Sequence, residues 1–309
     1  MPELPTGTLT PSTGVGHELS LDPGMDLPPR RLARLLTIAR DNKLAMAGLI
    51  ITIGLTMFCY VGPLLYHTNE TSTNLLLANM PPSAAHPLGT TPEGRDELGQ
   101  LMVGGQSTLE VGFAVAILGT AFGMIWGAAA GYLGGLIDAA LMRVVDALLA
   151  IPFLFFIVLL ASITTPTLII IILAITAASW ESTARLVRGE VLSLRTRDYV
   201  ELSQQLGARH HHVVFRHLVP NVTGTVVVTA TLSMADAILI YAAVAFLGLS
   251  VPPPATSWGD LLTTGINNLF DGYWWQLWPP AIAIVLIVLA VNLLGDGMHD
   301  MVEHRLDRR

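Results

Sequence analysis

Long stretches of this chain contain no charged side chain, and these stretches predict its architecture. The charge-free runs cover residues 44–69, 111–137, 147–180, 217–235, 237–259 and 272–295. A helix needs about 20 apolar residues to cross the hydrocarbon core of a bilayer. The run 147–180 is too long for one crossing and is divided before Pro166, because proline interrupts helices. The pattern therefore predicts six transmembrane spans, at 44–66, 107–131, 139–162, 166–184, 221–247 and 278–297.

The composition supports an all-α integral membrane protein. Hydrophobic residues make up 52% of the 309 positions and charged residues 13%, and the mean hydropathy is +0.59. A soluble domain carries roughly 25% charged residues. The net charge of −7 and the lack of a basic domain argue against a nucleic-acid partner. The single cysteine, Cys59, excludes a disulfide framework within one chain.

The distribution of lysine and arginine predicts the orientation. With the N-terminus in the cytoplasm, 15 of the 16 basic residues lie on the cytoplasmic side and only Arg95 lies outside. We therefore expect a multi-pass protein of the cell membrane with both termini in the cytoplasm. Residues 1–40 are polar and rich in proline, and we expect them to form a disordered cytoplasmic tail. Residues 41–309 are expected to form the six-helix membrane domain.

Small residues recur along the second predicted span. The stripe consists of Gly119, Gly123, Gly127 and Gly131, with Gly135 continuing the spacing. Such a stripe lets another helix approach closely in lipid. We expect it to serve helix packing, with a role in gating as an equal alternative, and we expect Gly131 and Gly135 to form the turn to the third span.

Few charges lie at membrane depth. Asp236 falls near the centre of the fifth span, where a charge is costly and marks a functional site by default. It is a candidate for lining a translocation cavity, and a structural hydrogen bond to a neighbouring helix is the alternative. The remaining charges are expected to lie near span ends, as helix-end charges or local ion pairs. They are Glu110, Asp138, Arg143, Asp146 and Glu181.

Residues 185–220 form the one sizeable predicted loop between spans on the cytoplasmic side. Tyr199, Leu202 and Leu206 fall on one helix face, and Gly207 is expected to end that helix as a left-handed cap. A second short helix is expected from Val213 to Pro220. An amphipathic helix of this kind can dock in a groove of a soluble partner, or it can lie on lipid headgroups.

This loop resembles the cytoplasmic signature of ABC importer permeases. Glu201 is followed six residues later by Gly207 and then by Pro220, with Leu202 and Ser203 at the positions of two alanines in the family. The resemblance implies that the loop is the coupling helix that carries motion from an ATPase subunit. The coupling residues that it implies are Tyr199, Glu201, Leu202, Leu206, Gly207 and Arg209.

A colinear set of motifs resembles, more narrowly, the C-type permease of dipeptide, oligopeptide and nickel importers. The motifs are His86-Pro87-Leu88-Gly89-Thr90, Gly94-Arg95-Asp96, Gly131-Tyr132, Gly134-Gly135, Asp138, Met142-Arg143, Asp146, Ala184-Arg185, Val187-Arg188-Gly189, Asp198-Tyr199-Val200, His217, Pro220-Asn221, Phe246-Leu247-Gly248, Ser257-Trp258-Gly259 and Asn292-Leu293-Leu294-Gly295-Asp296. Thr91 and Gln106 depart from the family pattern. Ile240 and Tyr241 stand where the family often has an acidic residue. Asp236, one turn earlier, would take the place of that acidic residue.

The resemblance implies a type I ABC importer permease that forms half of a translocation pathway for di- or oligopeptides by alternating access. Its implied partners are a homologous second permease, two ATPase subunits that hold ATP and Mg²⁺, an extracytoplasmic binding protein and membrane lipid. The chain contains no Gly-x-x-x-x-Gly-Lys-Ser/Thr phosphate loop, so we expect neither enzymatic activity nor a cofactor or metal in this subunit. Two alternatives stay open: the same machine carrying nickel or another small solute, and an ATPase-independent channel or carrier.

Four tryptophans gather around the last outer loop. They are Trp258, Trp274, Trp275 and Trp278. We expect them to form an interfacial aromatic belt, with contact to substrate or binding protein as the alternative.

Overall fold

Over the residues that the structure describes, the protein is all α-helical, as predicted. A computed structural model describes residues 43–67, 72–152, 155–157, 159 and 167–306, without the side chains at 201, 204, 210, 211, 215, 217 and 301–306. The predicted tail, residues 1–40, lies outside these residues. In chain order the α-helices are α1 (Lys43–Leu65), α2 (Glu97–Leu133), α3 (Gly135–Leu149), α4 (Leu168–Ala177), α5 (Glu181–Arg195), α6 (Asp198–Gln205), α7 (His210–Val213), α8 (Val219–Phe246), α9 (Trp258–Asn268) and α10 (Trp278–Leu306).

In the described part of the chain, four segments are long and apolar enough to cross a membrane: α1, α2, α8 and Trp274–Asp300, which includes most of α10. Helices α4 and α5 add a fifth if they count as one span, bent by 43°. The predicted third span, 139–162, starts within α3, but residues 153–154, 158 and 160–166 lie outside the described residues. The number of six spans therefore stays a prediction.

The predicted fourth span, 166–184, is interrupted by a break between two helices, and whether the pair forms one span stays a prediction. Helix α4 ends at Ala177 and α5 begins at Glu181. At the break, the Ser179 hydroxyl donates to the carbonyl of Ile175 at 2.7 Å and the Trp180 indole N–H donates to that of Ala177 at 3.1 Å. These side chains bond the backbone carbonyls at the end of α4, in competition with a continued helix.

The expected loop 185–220 is mostly helical, which corrects two boundaries. Its first part belongs to α5, which runs on to Arg195. Pro220 does not end a helix but lies at the start of α8, preceded by a π-helical turn at Val214–Leu218. In that turn the N–H of Val219 donates to the carbonyl of Val214, five residues back. A proline lacks the N–H for the normal bond and its ring crowds the preceding turn, so the wider π turn lets the helix pass through it.

Helix α2 is the longest element, with 37 residues. Asp96 caps its N-terminus by accepting the N–H of Gly99 at 2.9 Å. At the other end, Gly134 and Gly135 have φ angles of +65° and +57° and make the turn into α3. Gly135 thus lies in the predicted turn, whereas Gly131 remains inside α2, because the backbone leaves the helical conformation only at Gly134.

The helices define two ends of the bundle. Helices α1 and α10 run antiparallel, since Gly48 near the start of α1 lies against Ala290 and Leu294, while Phe58 nearer its end lines one pocket with Ile282. We call the end that carries Lys43, the α2–α3 turn, α6 and α7 the basic end. We call the end that carries residues 72–96 and 248–277 the far end.

Candidate coupling site and pathway face

The turn after α6 is built around Gly207. Its φ is +82°, a left-handed conformation that a β-carbon opposes. The N–H of Ala208 donates to the carbonyl of Ser203 at 3.1 Å. This is the six-to-one hydrogen bond of a Schellman motif, so the predicted left-handed cap is confirmed.

Tyr199, Leu202 and Leu206 form an exposed apolar surface that we call the basic-end patch. Leu202 is 56% exposed and Leu206 is 87% exposed, while Val200 on the same helix is fully buried. Helix α6 therefore anchors one side in the protein and presents apolar side chains on the other. Exposed apolar groups gathered in one place mark sites of interaction.

The two remaining predicted coupling residues, Glu201 and Arg209, lie close in sequence to the patch residues. Glu201 lies within α6, and its side chain is outside the described part of the structure. Arg209 is exposed and directly precedes α7, and its carbonyl accepts the N–H of His212 at 2.9 Å and of Val213 at 3.2 Å.

Helix α5, which leads into α6, lies directly on the glycine stripe of α2. A β-carbon on Gly123 would stand 2.6 Å from the carbonyl oxygen of Trp180, and one on Gly131 would stand 2.9 Å from that of Arg188. One on Gly127 would overlap the carbonyl of Ala184. Gly119, in contrast, has only an ordinary contact, 3.6 Å from Ser179 Oγ. The two backbones therefore touch along three of the four predicted glycines.

Two ion pairs join the same helix to α3, and the pair of Arg188 with Asp138 is the less exposed of the two. Arg188 donates to both carboxylate oxygens of Asp138, at 2.5 and 2.7 Å, and Arg185 donates to Asp146 at 2.6 Å. The hydrogen bond from Arg188 lowers the pKa of Asp138. A bidentate arginine–carboxylate pair fixes geometry as well as distance. Asp138 and Asp146 are thus in the local ion pairs expected from the sequence.

An apolar cluster joins the N-terminal end of α8 to α2, α5 and α6. Its fully buried members are Val187, Val191, Val200, Val213, Leu218 and Val222. Beside it, the Thr225 hydroxyl donates to Glu190 Oε1 at 2.5 Å, linking α8 to α5. The segment that carries the basic-end patch is thus connected to the membrane helices on both sides.

Asp236 lies on an exposed strip of α8. Leu232, Leu239 and Phe246 share this face and are also exposed, whereas Ile238 is fully buried against α2. A carboxylate at this depth does not face hydrocarbon without a large cost. The strip therefore has the character of a face that borders a polar path or another subunit.

Glu110 lies inside a helix that is longer than a membrane crossing needs, so its place near a span end stays a prediction. It is an exposed residue well inside α2, and Tyr60 of α1 donates to its Oε1 at 3.2 Å. Helix α2 extends about ten residues, or 15 Å, beyond the predicted start of the span at the far end. The sequence offered no signal for the tyrosine, which is 50 positions away.

At the far end, hydrogen bonds connect α9 to α2 and to α8. The Trp258 indole N–H donates to the carbonyl of Leu101 at 2.8 Å, and its backbone N–H donates to Thr108 Oγ1 at 3.2 Å. The Ser107 hydroxyl donates to the carbonyl of Thr256 at 2.6 Å. These contacts were missed because they join residues about 150 positions apart.

A polar network also joins α9 to α8. Ser250 and Ser257 donate to Asp260 Oδ2 at 2.8 and 2.7 Å, and the Tyr241 hydroxyl lies 3.5 Å from Ser250 Oγ. Burial raises the pKa of Asp260, and the bonds from Ser257 and Ser250 oppose that rise. The network places one carboxylate between the two helices.

The structure contradicts the expected aromatic belt for two of its four tryptophans. Trp274 and Trp278 are each 55% exposed, but Trp258 is fully buried and Trp275 nearly so. Trp258 satisfies its indole N–H inside the protein, and Trp275 packs edge-on against Tyr273 and Trp274. Burial with a satisfied N–H makes Trp258 a core residue rather than an interfacial one.

Comparison with known proteins fits this architecture. Residues 119–308 match the family described as "Binding-protein-dependent transport system inner membrane component", and residues 35–82 match "N-terminal TM domain of oligopeptide transport permease C". The chain is 39% identical over 267 residues to the oligopeptide transport system permease protein OppC of Bacillus subtilis (strain 168), covering 86% of this chain and 87% of that protein.

Two further relatives are similar over comparable lengths. The dipeptide transport system permease protein DppC of Bacillus subtilis (strain 168) is 38% identical over 269 residues, 87% of this chain and 84% of the relative. The oligopeptide transport system permease protein OppC of Haemophilus influenzae (strain ATCC 51907 / DSM 11121 / KW20 / Rd) is 35% identical over 264 residues, 85% of each chain. The protein therefore belongs to the family of binding-protein-dependent transport system inner membrane components and has the type I ABC permease fold.

Proposed function

We propose that this chain is the permease subunit of an ATP-driven importer of di- or oligopeptides. Its family membership and the peptide transport named in its relatives support this cargo. The subunit would form half of the pathway, with a homologous second permease as the other half. The strip of α8 that carries Asp236 supplies a face for that pathway.

The observation that carries the proposal is the basic-end patch. Leu202 and Leu206 expose apolar side chains beside a rigid glycine turn, outside the long apolar helices. A soluble partner with a groove would cover them, and two ATPase subunits that bind ATP and Mg²⁺ fit that role. The permease would then not be an enzyme itself but would receive motion from its partners, with alternating access as the result.

The charge distribution supports the orientation of the complex. Lysine and arginine gather at the basic end, which we assign to the cytoplasm, with both termini there. The far end would then face outward and receive an extracytoplasmic binding protein. The protein would lie in the cell membrane in contact with lipid and would have no nucleic-acid partner.

Copurification tests the docking of the ATPases. We expect tagged wild-type permease to retain both ATPase subunits, and the double variant Leu202→Ser/Leu206→Ser to lose them. The control is Leu136→Ser, which changes a leucine that is 90% exposed at the start of α3. Equal recovery of ATPase subunits with all three proteins would contradict the proposal and favour an ATPase-independent channel or carrier.

Uptake by the same complexes tests the cargo. We expect ATP-dependent accumulation of labelled di- or oligopeptides and none of nickel. Accumulation of nickel without peptide would keep the assignment as an ATP-driven importer and make nickel its cargo.

A further inference from the structure

We infer that α2 is the mechanical link between α6, which carries the basic-end patch, and α9 at the far end, with Asp138, Arg188, Ser107 and Thr108 as its positioning residues. This inference rests on the proposed function, because it concerns how movement of an ATPase would reach the outer mouth. It assigns that transmission to α2 rather than to α8 alone.

At the basic end, α2 and α5 are in backbone contact. Gly123 and Gly131 bring the carbonyls of Trp180 and Arg188 against α2, as described above. The Arg188–Asp138 pair then fixes α5 to α3, which follows α2 after a two-glycine turn. A displacement of α6 would act on α5, because only two residues separate these helices in the chain. Through α5 it would act on the α2–α3 hairpin.

Helix α2 reaches from one end of the bundle to the other without a break. Its 37 residues correspond to about 55 Å at 1.5 Å per residue. Its sequence contains no proline, the residue that most often kinks a helix. A displacement or tilt at the basic end therefore has to appear at the far end as well.

At the far end, α2 holds α9 through three cross-links. They are the bonds of Trp258 to Leu101 and Thr108, and that of Ser107 to Thr256. Helix α9 is tied to α8 through Asp260, Ser250 and Tyr241. Because α9 is bonded to both helices, a movement of α2 relative to α8 has to rearrange α9.

Two conservative changes remove the contacts of this link, one at the far end and one at the basic end. Ser107→Ala/Thr108→Val removes two hydroxyls that bond the α9 segment and leaves side-chain volume nearly unchanged. Asp138→Asn removes the charge that holds Arg188. Thr120→Val is the matched control for the first change, since its hydroxyl bonds only α2. Asp146→Asn is the control for the second, because both partners of its pair with Arg185 are half exposed and such pairs contribute little.

The experiment uses the whole transporter, with both permeases, ATPases and binding protein, in proteoliposomes. It measures basal ATPase activity, the stimulation of that activity by loaded binding protein, and uptake per ATP hydrolysed. We expect the far-end and basic-end variants to keep basal activity and to lose at least about fivefold in stimulation, the lower range of coupling between distant sites. The controls should resemble wild type. Purely structural damage would instead lower the amount of assembled complex and leave the ratio of stimulated to basal ATPase activity unchanged.

Combining the two changes gives the decisive comparison. If both cut one link, the combined variant is no worse than the more affected single variant, because effects along one path are not additive. Unchanged stimulation in either variant, or a combined effect equal to the product of the two, would overturn the inference. If Asp138→Asn fails to assemble, Arg188→Lys replaces it, because lysine keeps the positive charge but cannot bond both oxygens of Asp138 in the same way. A wild-type complex without ATP-dependent uptake would instead contradict the proposed function.

Discussion

The α-carbon of Gly127 lies so close to the carbonyl oxygen of Ala184 that a β-carbon on residue 127 would overlap it. This contact brings the backbones of α2 and α5 together near the start of α5. In lipid, close backbone approach through small residues is a main source of helix association.

Gly127→Ala is therefore expected to push α5 away from α2. Overpacking of this kind costs typically about 1–3 kcal/mol. The measurement is the thermal unfolding midpoint of the purified protein in nanodiscs. Gly119→Ala is the control, because its β-carbon would make only an ordinary contact. Equal midpoints for the two variants would show that the contact at Gly127 does not constrain the helices.

Gly207→Val is expected to separate ATP hydrolysis from transport. A non-glycine residue in the left-handed conformation costs roughly 1–2 kcal/mol, and a β-branched one fits worst. The turn would reopen and misplace the basic-end patch, while the membrane helices stay inserted. Gly207→Asn is the matched control, because asparagine tolerates this conformation. The measured quantity is peptide uptake per ATP, and normal coupling in the valine variant would exclude a role for this turn.

The exposed face of α8 can be tested by cysteine labelling. The one native cysteine, Cys59, is buried, so Cys59→Ser gives a clean background. We expect Asp236→Cys to react with a water-soluble thiol reagent, since a pathway face is wet. Ile238→Cys, fully buried on the same helix, should not react, and nor should Ile117→Cys on the exposed apolar side of α2. Equal protection of residues 236 and 117 would place Asp236 away from water.

The orientation gives a further prediction. In the same background, Phe270→Cys at the far end and Leu206→Cys at the basic end are both highly exposed positions. A membrane-impermeant reagent added to intact cells should label residue 270 only, and residue 206 should react after the membrane is opened. The reverse pattern would invert the topology that the basic residues predict.

The long helices could be located from the sequence because a charged side chain in hydrocarbon costs free energy. Membrane-spanning segments therefore appear in a single sequence as runs without charge. The predicted spans 44–66 and 221–247 match α1 and α8 within two residues at each end. The start of α2 was missed by ten residues, because its first turns are capped and bonded by Asp96 and other polar side chains of the far end. Apolar periodicity carries no signal for such a segment.

The connections between helices were the part that the sequence did not reveal. Its glycine spacing predicted close packing but not that α5 was the partner. Pro220 is a helix breaker by its chemistry, yet the π turn before it absorbs the misfit. Trp258 belongs to the core because Leu101 and Thr108, distant in sequence, satisfy its N–H groups. Each of these outcomes depends on contacts that only the folded chain brings together.

Transport of labelled di- and oligopeptides tests the central claim most directly. The complex is compared in membranes that contain the wild-type permease, the Gly207→Val variant or no permease, each with and without ATP. The account predicts uptake that needs both the wild-type chain and ATP. Equal peptide uptake in all three membranes, or uptake that is independent of ATP, would contradict it.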